Sequence, residues 1–196
     1  MGQNFQKIVG IIIIIFSITG LLASLILSIE KVNRLKDPQI HLSCSINSAF
    51  NCVSVMDSPQ AELFGFPNSF LGLMGFSFTL IYGVNLLLLK ERSKLLDLGF
   101  FAGITLAFIF SYWLLFQSAY VIKSLCIYCL LSCLSSTNIY FSLFILLLKD
   151  GTIRLEKKFN NIIQMFIEKQ YYYYLIGLWY FVVILLILHE MKDMFI

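Results

Sequence analysis

Five cysteines, Cys44, Cys52, Cys126, Cys129 and Cys133, are the side chains of this chain best suited to chemistry. Cys126 and Cys129 form the sequence C-I-Y-C. Residues three apart share one face of a helix, so both sulfurs point the same way. At a helix N-terminus, free N–H groups and a partial positive charge stabilise a thiolate. Lys123 adds a full positive charge three residues before Cys126. A thiolate attacks disulfides and electron-poor centres, whereas a thiol does so poorly. Cys44 and Cys52 are eight residues apart, close enough to close a small disulfide ring. They fit a static disulfide or a shuttle that passes electrons to the C-x-x-C pair. A four-cysteine metal site is the remaining alternative, but C-x7-C with C-x2-C lacks the paired short knuckles of most zinc sites. No residue is therefore assigned as a metal ligand. Cys133 follows Cys129 by four residues and reads as packing, since a free cysteine behaves as a small hydrophobe. His41 and His189 read as headgroup-region residues.

The elements that must position these sulfurs follow from composition. Of 196 residues, 59% are hydrophobic and 13% charged, against about 45–50% and about a quarter in a soluble domain. This composition belongs to a membrane protein. The net charge of +3 comes without a basic stripe, so no nucleic-acid partner is expected. Charged residues divide the chain into spans at about 8–29, 68–89, 98–122, 124–148 and 171–188. Each is near or above the roughly 20 residues that cross a hydrocarbon core. In lipid the backbone must satisfy its own hydrogen bonds, so these are helices. The prediction is a single all-α polytopic membrane domain over 1–196, with an outer loop at 30–67 and a cytoplasmic loop at 149–170. The first apolar run exceeds the roughly 7–15 residues of a signal core, and no A-x-A pattern follows it.

An N-terminus in the cytoplasm puts nine basic residues inside: Lys7, Lys90, Arg92, Lys94, Lys149, Arg154, Lys157, Lys158 and Lys169. Five lie outside: Lys31, Arg34, Lys36, Lys123 and Lys192. The excess favours N-in and C-out, although the three basic residues after span one oppose it. Cys44, Cys52, Cys126 and Cys129 then share the outer face, in a compartment where disulfides persist. No Asp, Glu, Lys, Arg or His falls inside the predicted spans, which weighs against ion-coupled transport. Asn85, Gln117 and Asn138 are expected as interhelical hydrogen-bond partners. The outer loop carries Phe50, Val53, Val55, Met56, Leu63, Phe64 and Phe66 and is expected to pack onto the bundle mouth. The 149–170 loop has the pattern of an interfacial helix, and Tyr171 to Tyr174 suit a headgroup anchor.

Taken in order, the chain shows a first span, Cys44-x7-Cys52, Ser58, the run A-E-L-F-G-F-P-N-S-F-L-G-L-M-G-F and a C-I-Y-C opening span four. Over roughly 8–148 this resembles the vitamin K epoxide reductase family, which includes bacterial homologues that generate disulfides. The resemblance implies a four-helix bundle around a quinone pocket, with a fifth transmembrane helix as in bacterial members. It implies that Cys129 is the thiolate beside the quinone. Cys126 would exchange with Cys52, and Cys44 would meet an external dithiol. Ser58 stands where the family has a serine or threonine near the quinone, and Asn68 matches an asparagine that hydrogen-bonds a quinone carbonyl in animal members.

The implied acceptor is ubiquinone or menaquinone, and the implied partner is a thioredoxin-like periplasmic protein at a bacterial inner membrane. Two features depart from the pattern. Cys133 replaces the tyrosine of animal members, which disfavours vitamin K epoxide chemistry. No thioredoxin-like domain follows span five, so the partner is expected to be a separate protein. The alternatives are a vitamin K epoxide or quinone reductase proper, and a non-catalytic membrane protein with structural or metal-binding cysteines.

Overall fold

Long apolar runs become helices here because each helix satisfies its own backbone within lipid. The computed structural model describes residues 2–37, 39, 44–45, 49–89, 92–153 and 171–195. In chain order these form α1 (Gly2–Lys36), a short α2 (Cys52–Met56), a 3-10 turn (Pro59–Glu62), α3 (Asn68–Leu88), α4 (Lys94–Phe116), α5 (Ile127–Lys149) and α6 (Tyr172–Phe195). Five of them are long and apolar enough to cross a membrane. The protein is an all-α, multi-pass membrane protein.

The helices run past their uncharged cores. α1 has 35 residues, roughly 50 Å at about 1.5 Å per residue, against a hydrocarbon core about 30 Å thick. Its final turns therefore carry Glu30, Lys31 and Arg34 beyond the apolar run, at the end where the cysteines lie. α4 starts early enough to include Asp97, which is buried. That carboxylate accepts from Tyr82 Oη (2.7 Å) and pairs with Arg92 (2.7 Å), which also reaches Asp150 (2.6 Å). These contacts, with Lys149 Nζ over the Phe5 ring, close the end of the bundle opposite the cysteines.

α1 packs along both α3 and α5, and α4 packs along α5. The shared core includes Ile13, Phe76, Leu86, Ile139, Leu143 and Leu146. Close approach of α1 to α3 depends on small residues, as is usual in lipid, where packing rather than hydrophobic exclusion drives association. A Cβ at Gly20 would stand 2.4 Å from the Phe76 ring. Buried hydroxyl pairs, such as Ser17 with Thr79 (2.6 Å), tie the same helices.

α6 lies at the periphery with most of its side chains exposed. It is held by Trp179 Nε1 donating to Tyr112 Oη (2.7 Å) and Asn138 Nδ2 donating to Tyr180 Oη (2.7 Å). Asn138 is thus an interhelical partner, as its position in an apolar run predicts. Tyr171, Tyr173 and Tyr174 are exposed at the start of α6. His41 and the predicted interfacial helix, apart from 149–153, fall outside the described residues.

Among the described residues of the loop between α1 and α3, those of α2 pack down and those just before α3 do not. Cys52 and Met56 are buried, with Val53 and Val55 against them. Leu63, Phe64 and Phe66 stay exposed, Phe64 tilted against Phe66 and Phe110. They sit just before the start of α3.

Candidate active site

The site begins where α4 loosens. Past Phe116 the helix widens into a π-helical segment, Gln117–Ile122, which ends at Lys123 with φ of 55°. A β-carbon crowds the backbone in this left-handed region, so a lysine there marks an enforced corner. The corner is stapled by Ser118, whose carbonyl accepts from Ser124 N–H (3.1 Å) and whose hydroxyl donates to the Ser124 carbonyl.

Beyond the corner, Leu125 lies parallel to Phe50. Leu125 N–H donates to Ala49 O (2.8 Å), Asn51 N–H donates to Leu125 O (3.1 Å), and Ser124 Oγ donates to Asn51 O (3.2 Å). This bridge sets the residues just after it, Cys52 and Cys126, side by side. Asn51 then starts α2 by accepting from the N–H groups of Val53 (3.0 Å) and Ser54 (3.3 Å), a standard N-cap. The far end of α2 is fastened to α1. Arg34 donates to both oxygens of Asp57 (2.6–3.0 Å), and Lys31 Nζ donates to Met56 O (2.9 Å) and pairs with Glu62 (2.9 Å). The Arg34 hydrogen bond holds the Asp57 carboxyl below the usual carboxylate range.

Cys44 and Cys52 form a disulfide, with an S–S distance of 2.00 Å. Cys126, Cys129 and Cys133 are free thiols. The Cys52 and Cys126 sulfurs are 3.2 Å apart, and the sulfurs of Cys44, Cys52 and Cys126 all lie within 4.8 Å of one another. Two of those three are joined covalently, so in this state they offer no thiolate set to a metal.

Cys126 is the N-cap of α5 and accepts from Cys129 N–H (3.4 Å). The α5 N-terminus thus turns an N–H toward the Cys126 sulfur, the placement that the helix-terminus argument calls for. Lys123 turns the other way and pairs with Glu190 on α6 (3.3 Å), so its charge is directed to α6.

Next to the sulfurs, a cavity of about 500 Å³ opens between α1, α3, α4 and α5, and Cys52, Cys126, Cys129 and Cys133 line it. Its walls are otherwise mostly apolar, with Phe76, Phe100, Phe110 and Leu114 among them, and Gly75 and Gly103 leave open space. That volume is in the range that houses small organic ligands. Ser58 and Asn68 are also on its wall. Ser58 Oγ donates to Val55 O (2.7 Å), and Asn68 Nδ2 donates to Gln60 O (2.7 Å). Asn68 Oδ1 is buried with no partner, an acceptor that a ligand hydroxyl would satisfy. A quinone and its reduced form fit this chamber: apolar walls for the ring and tail, a half-buried Cys129, and an orphaned amide oxygen that can accept from a quinol hydroxyl.

Of the six residues predicted for the site, five line one cavity, and Cys44 is joined to it by the disulfide. Cys133, read as packing, lines the cavity too. Sequence reasoning missed the Lys31–Glu62 and Arg34–Asp57 pairs that seat α2. The signal available was a cluster of charge immediately after an apolar span, opposite acidic residues in the loop.

A disulfide in contact with a thiol at a helix cap, beside an apolar chamber within a helical bundle, defines a membrane thiol oxidoreductase. The sequence model of the vitamin K epoxide reductase family matches residues 11–148. The chain belongs to that family, whose members couple thiol oxidation to a quinone. No curated protein matches the chain at a significant level.

Proposed function

We propose that this protein generates disulfides: it oxidises a thioredoxin-like dithiol protein on the outer side of a bacterial inner membrane and passes the electrons to ubiquinone or menaquinone. The observation that carries this reading is the 3.2 Å separation of Cys52 and Cys126. At that distance the two cysteine pairs are within reach of direct exchange.

In this reading a partner thiolate attacks Cys44 and breaks the Cys44–Cys52 bond, releasing Cys52 as a thiolate. Cys52 attacks Cys126 of an oxidised Cys126–Cys129 pair, and Cys129 leaves as a thiolate facing the cavity. The second partner thiol resolves the bond to Cys44, and the partner departs with a new disulfide. Cys44 then attacks Cys52, restores Cys44–Cys52 and frees Cys126. Cys126 and Cys129 close to a disulfide as two electrons and two protons pass to the quinone. Quinone potentials lie above those of most dithiols, and for a two-electron step each 30 mV is worth about 1.4 kcal/mol. Cys44 is 2% exposed in the disulfide state, so partner attack requires the chain around it to move aside.

The outward orientation is supported by the balance of basic residues. Lys31 and Arg34, which oppose it in a simple count, are neutralised locally by Glu62 and Asp57. Anaerobic reduction of quinone analogues by the purified protein, with a reduced thioredoxin-like donor, tests the proposal. Turnover is expected in the unsubstituted protein and none in Cys129→Ala. No turnover with either quinone class and several donors would overturn it.

A further inference from the structure

Glu30 stands at the redox cluster without a part in the exchange just described. Its Oε2 lies 3.5 Å from Cys44 Sγ. It belongs to the last turns of α1, beyond the apolar run, and is half-buried. In the disulfide state Cys44 carries no proton, so the present contact is carboxylate against sulfur. Once Cys44 is a thiol, the same geometry is an S–H donor facing a carboxylate acceptor.

The exchange has one step in which Cys44 must lose a proton. Cys44 is expelled from the mixed disulfide as a thiolate and takes up the proton given up by the partner's second thiol. After the partner leaves, Cys44 is therefore a thiol and Cys52 is bonded to Cys126. A free thiol is only a few per cent thiolate at pH 7, and Cys44 is buried away from bulk base. We propose that Glu30 takes the proton of Cys44 as Cys44 attacks Cys52 and expels Cys126, an assignment that rests on the reading of the protein as a disulfide generator. One S–S bond forms between Cys44 and Cys52, and the one between Cys52 and Cys126 breaks. Cys126 leaves with the electron pair as a thiolate, and the proton resides on Glu30. No net oxidation occurs, so no further reactant is required. The structure has the geometry of the product side: Cys44–Cys52 closed, Cys126 free and still 3.2 Å from Cys52, and Glu30 beside the sulfur that gave up its proton.

Among the described residues of this corner, Lys31 and Arg34 are engaged with other carboxylates. On α1, Lys31 pairs with Glu62 and Arg34 with Asp57 at the end of α2. From α5, Cys126 faces the cluster and is the group that leaves. Glu30 is the carboxylate placed on Cys44.

The test uses the full-length protein in detergent, its Cys126–Cys129 pair first oxidised by a ubiquinone analogue and then mixed anaerobically with a reduced thioredoxin-like protein. Acid quenching and non-reducing peptide mapping follow the Cys52–Cys126 cross-link from about pH 6 to about pH 10, a range spanning the ordinary thiol pKa of about 8.5. In Glu30→Gln the cross-link should form normally but decay about tenfold or more slower near pH 7, and the gap should close as pH rises and Cys44 ionises unaided. Glu30→Asp, which retains a carboxylate, should keep a decay rate that does not climb with pH. Decay in Glu30→Gln at the unsubstituted rate, a loss equal at every pH, or a climbing profile in Glu30→Asp overturns the assignment. Quinone that stays oxidised with the unsubstituted protein overturns the disulfide-generating function itself, a result separable from the others because it needs no variant.

Discussion

The sulfurs of Cys52 and Cys126 lie 3.2 Å apart although 74 residues separate them in the chain. Three hydrogen bonds produce that proximity, those of Leu125 with Ala49 and Asn51 and that of Ser124 with Asn51. Thiol–disulfide exchange needs sulfurs in contact, so the backbone bridge serves the chemistry directly.

A cross-link between these two sulfurs should therefore be trappable. In Cys129→Ala, Cys126 loses its neighbour on α5, and Cys52 becomes its nearest partner. With no dithiol donor added, Cys126 attacks Cys52 of the Cys44–Cys52 bond and Cys44 leaves as a thiol, an exchange without net oxidation. Non-reducing peptide mapping after thiol alkylation should then recover a Cys52–Cys126 peptide as the dominant species. Recovery of Cys44–Cys52 alone would show that the two pairs do not exchange.

The cavity can be filled without disturbing contacts between the helices. Gly103 lines it, and a Cβ there meets nothing within 4 Å. Gly103→Leu should keep its thermal midpoint, since its Cβ enters open space and its side chain extends into the cavity. It should also raise the quinone KM or cut quinone turnover by about tenfold, the equivalent of about 1.4 kcal/mol of binding. The rate of the dithiol half-reaction should not change. Loss of both half-reactions together would place the quinone elsewhere.

Asn68 separates binding from stability. Its Oδ1 is buried without a partner and its Nδ2 bonds Gln60 O. Asn68→Leu removes one hydrogen bond, a loss of about 1 kcal/mol, but also relieves an unsatisfied acceptor worth about as much. The thermal midpoint should move little, while affinity for the quinol, whose hydroxyl can donate to that oxygen, should fall by about tenfold. A large drop in midpoint with unchanged affinity would make the residue a structural one.

The Arg34–Asp57 pair predicts a pH dependence of loop docking. Arg34 lowers the Asp57 pKa. A depressed carboxylate contributes stability that is present above its unfolded value and is lost as pH falls through its folded value. Protection of the α2 amides from hydrogen exchange should hold at neutral pH and fade under acid conditions. In Arg34→Gln it should already be reduced at neutral pH, and the acid-dependent part should vanish. The pair is partly exposed, so the effect is that of a surface ion pair, small and salt-sensitive.

How much of this was legible beforehand depends on the range of the interactions. The long helices follow from uninterrupted apolar runs, because lipid leaves the backbone no alternative to helix. Cys126 and Cys129 on one helix face follow from a spacing of three. Helix ends were less legible: α1 continues through Glu30, Lys31 and Arg34 because Asp57 and Glu62, in the loop that follows, pair with charges that hydropathy alone would assign to a loop. Lys123 was expected to support the thiolate, but a left-handed corner turned it toward Glu190, a residue 67 positions later on α6.

By itself, then, the amino-acid sequence determined the membrane class, the helical spans and the redox chemistry available to five cysteines. These depend on composition and on neighbours within a turn or two. Only the tertiary structure decided which sulfurs touch, that Cys126 caps its helix, that Asn68 Oδ1 is left unpaired on the wall of a chamber, and that Glu30 rests on Cys44. Those relationships are set by packing between distant segments, where the position of each group depends on the whole bundle and not on its neighbours in the chain.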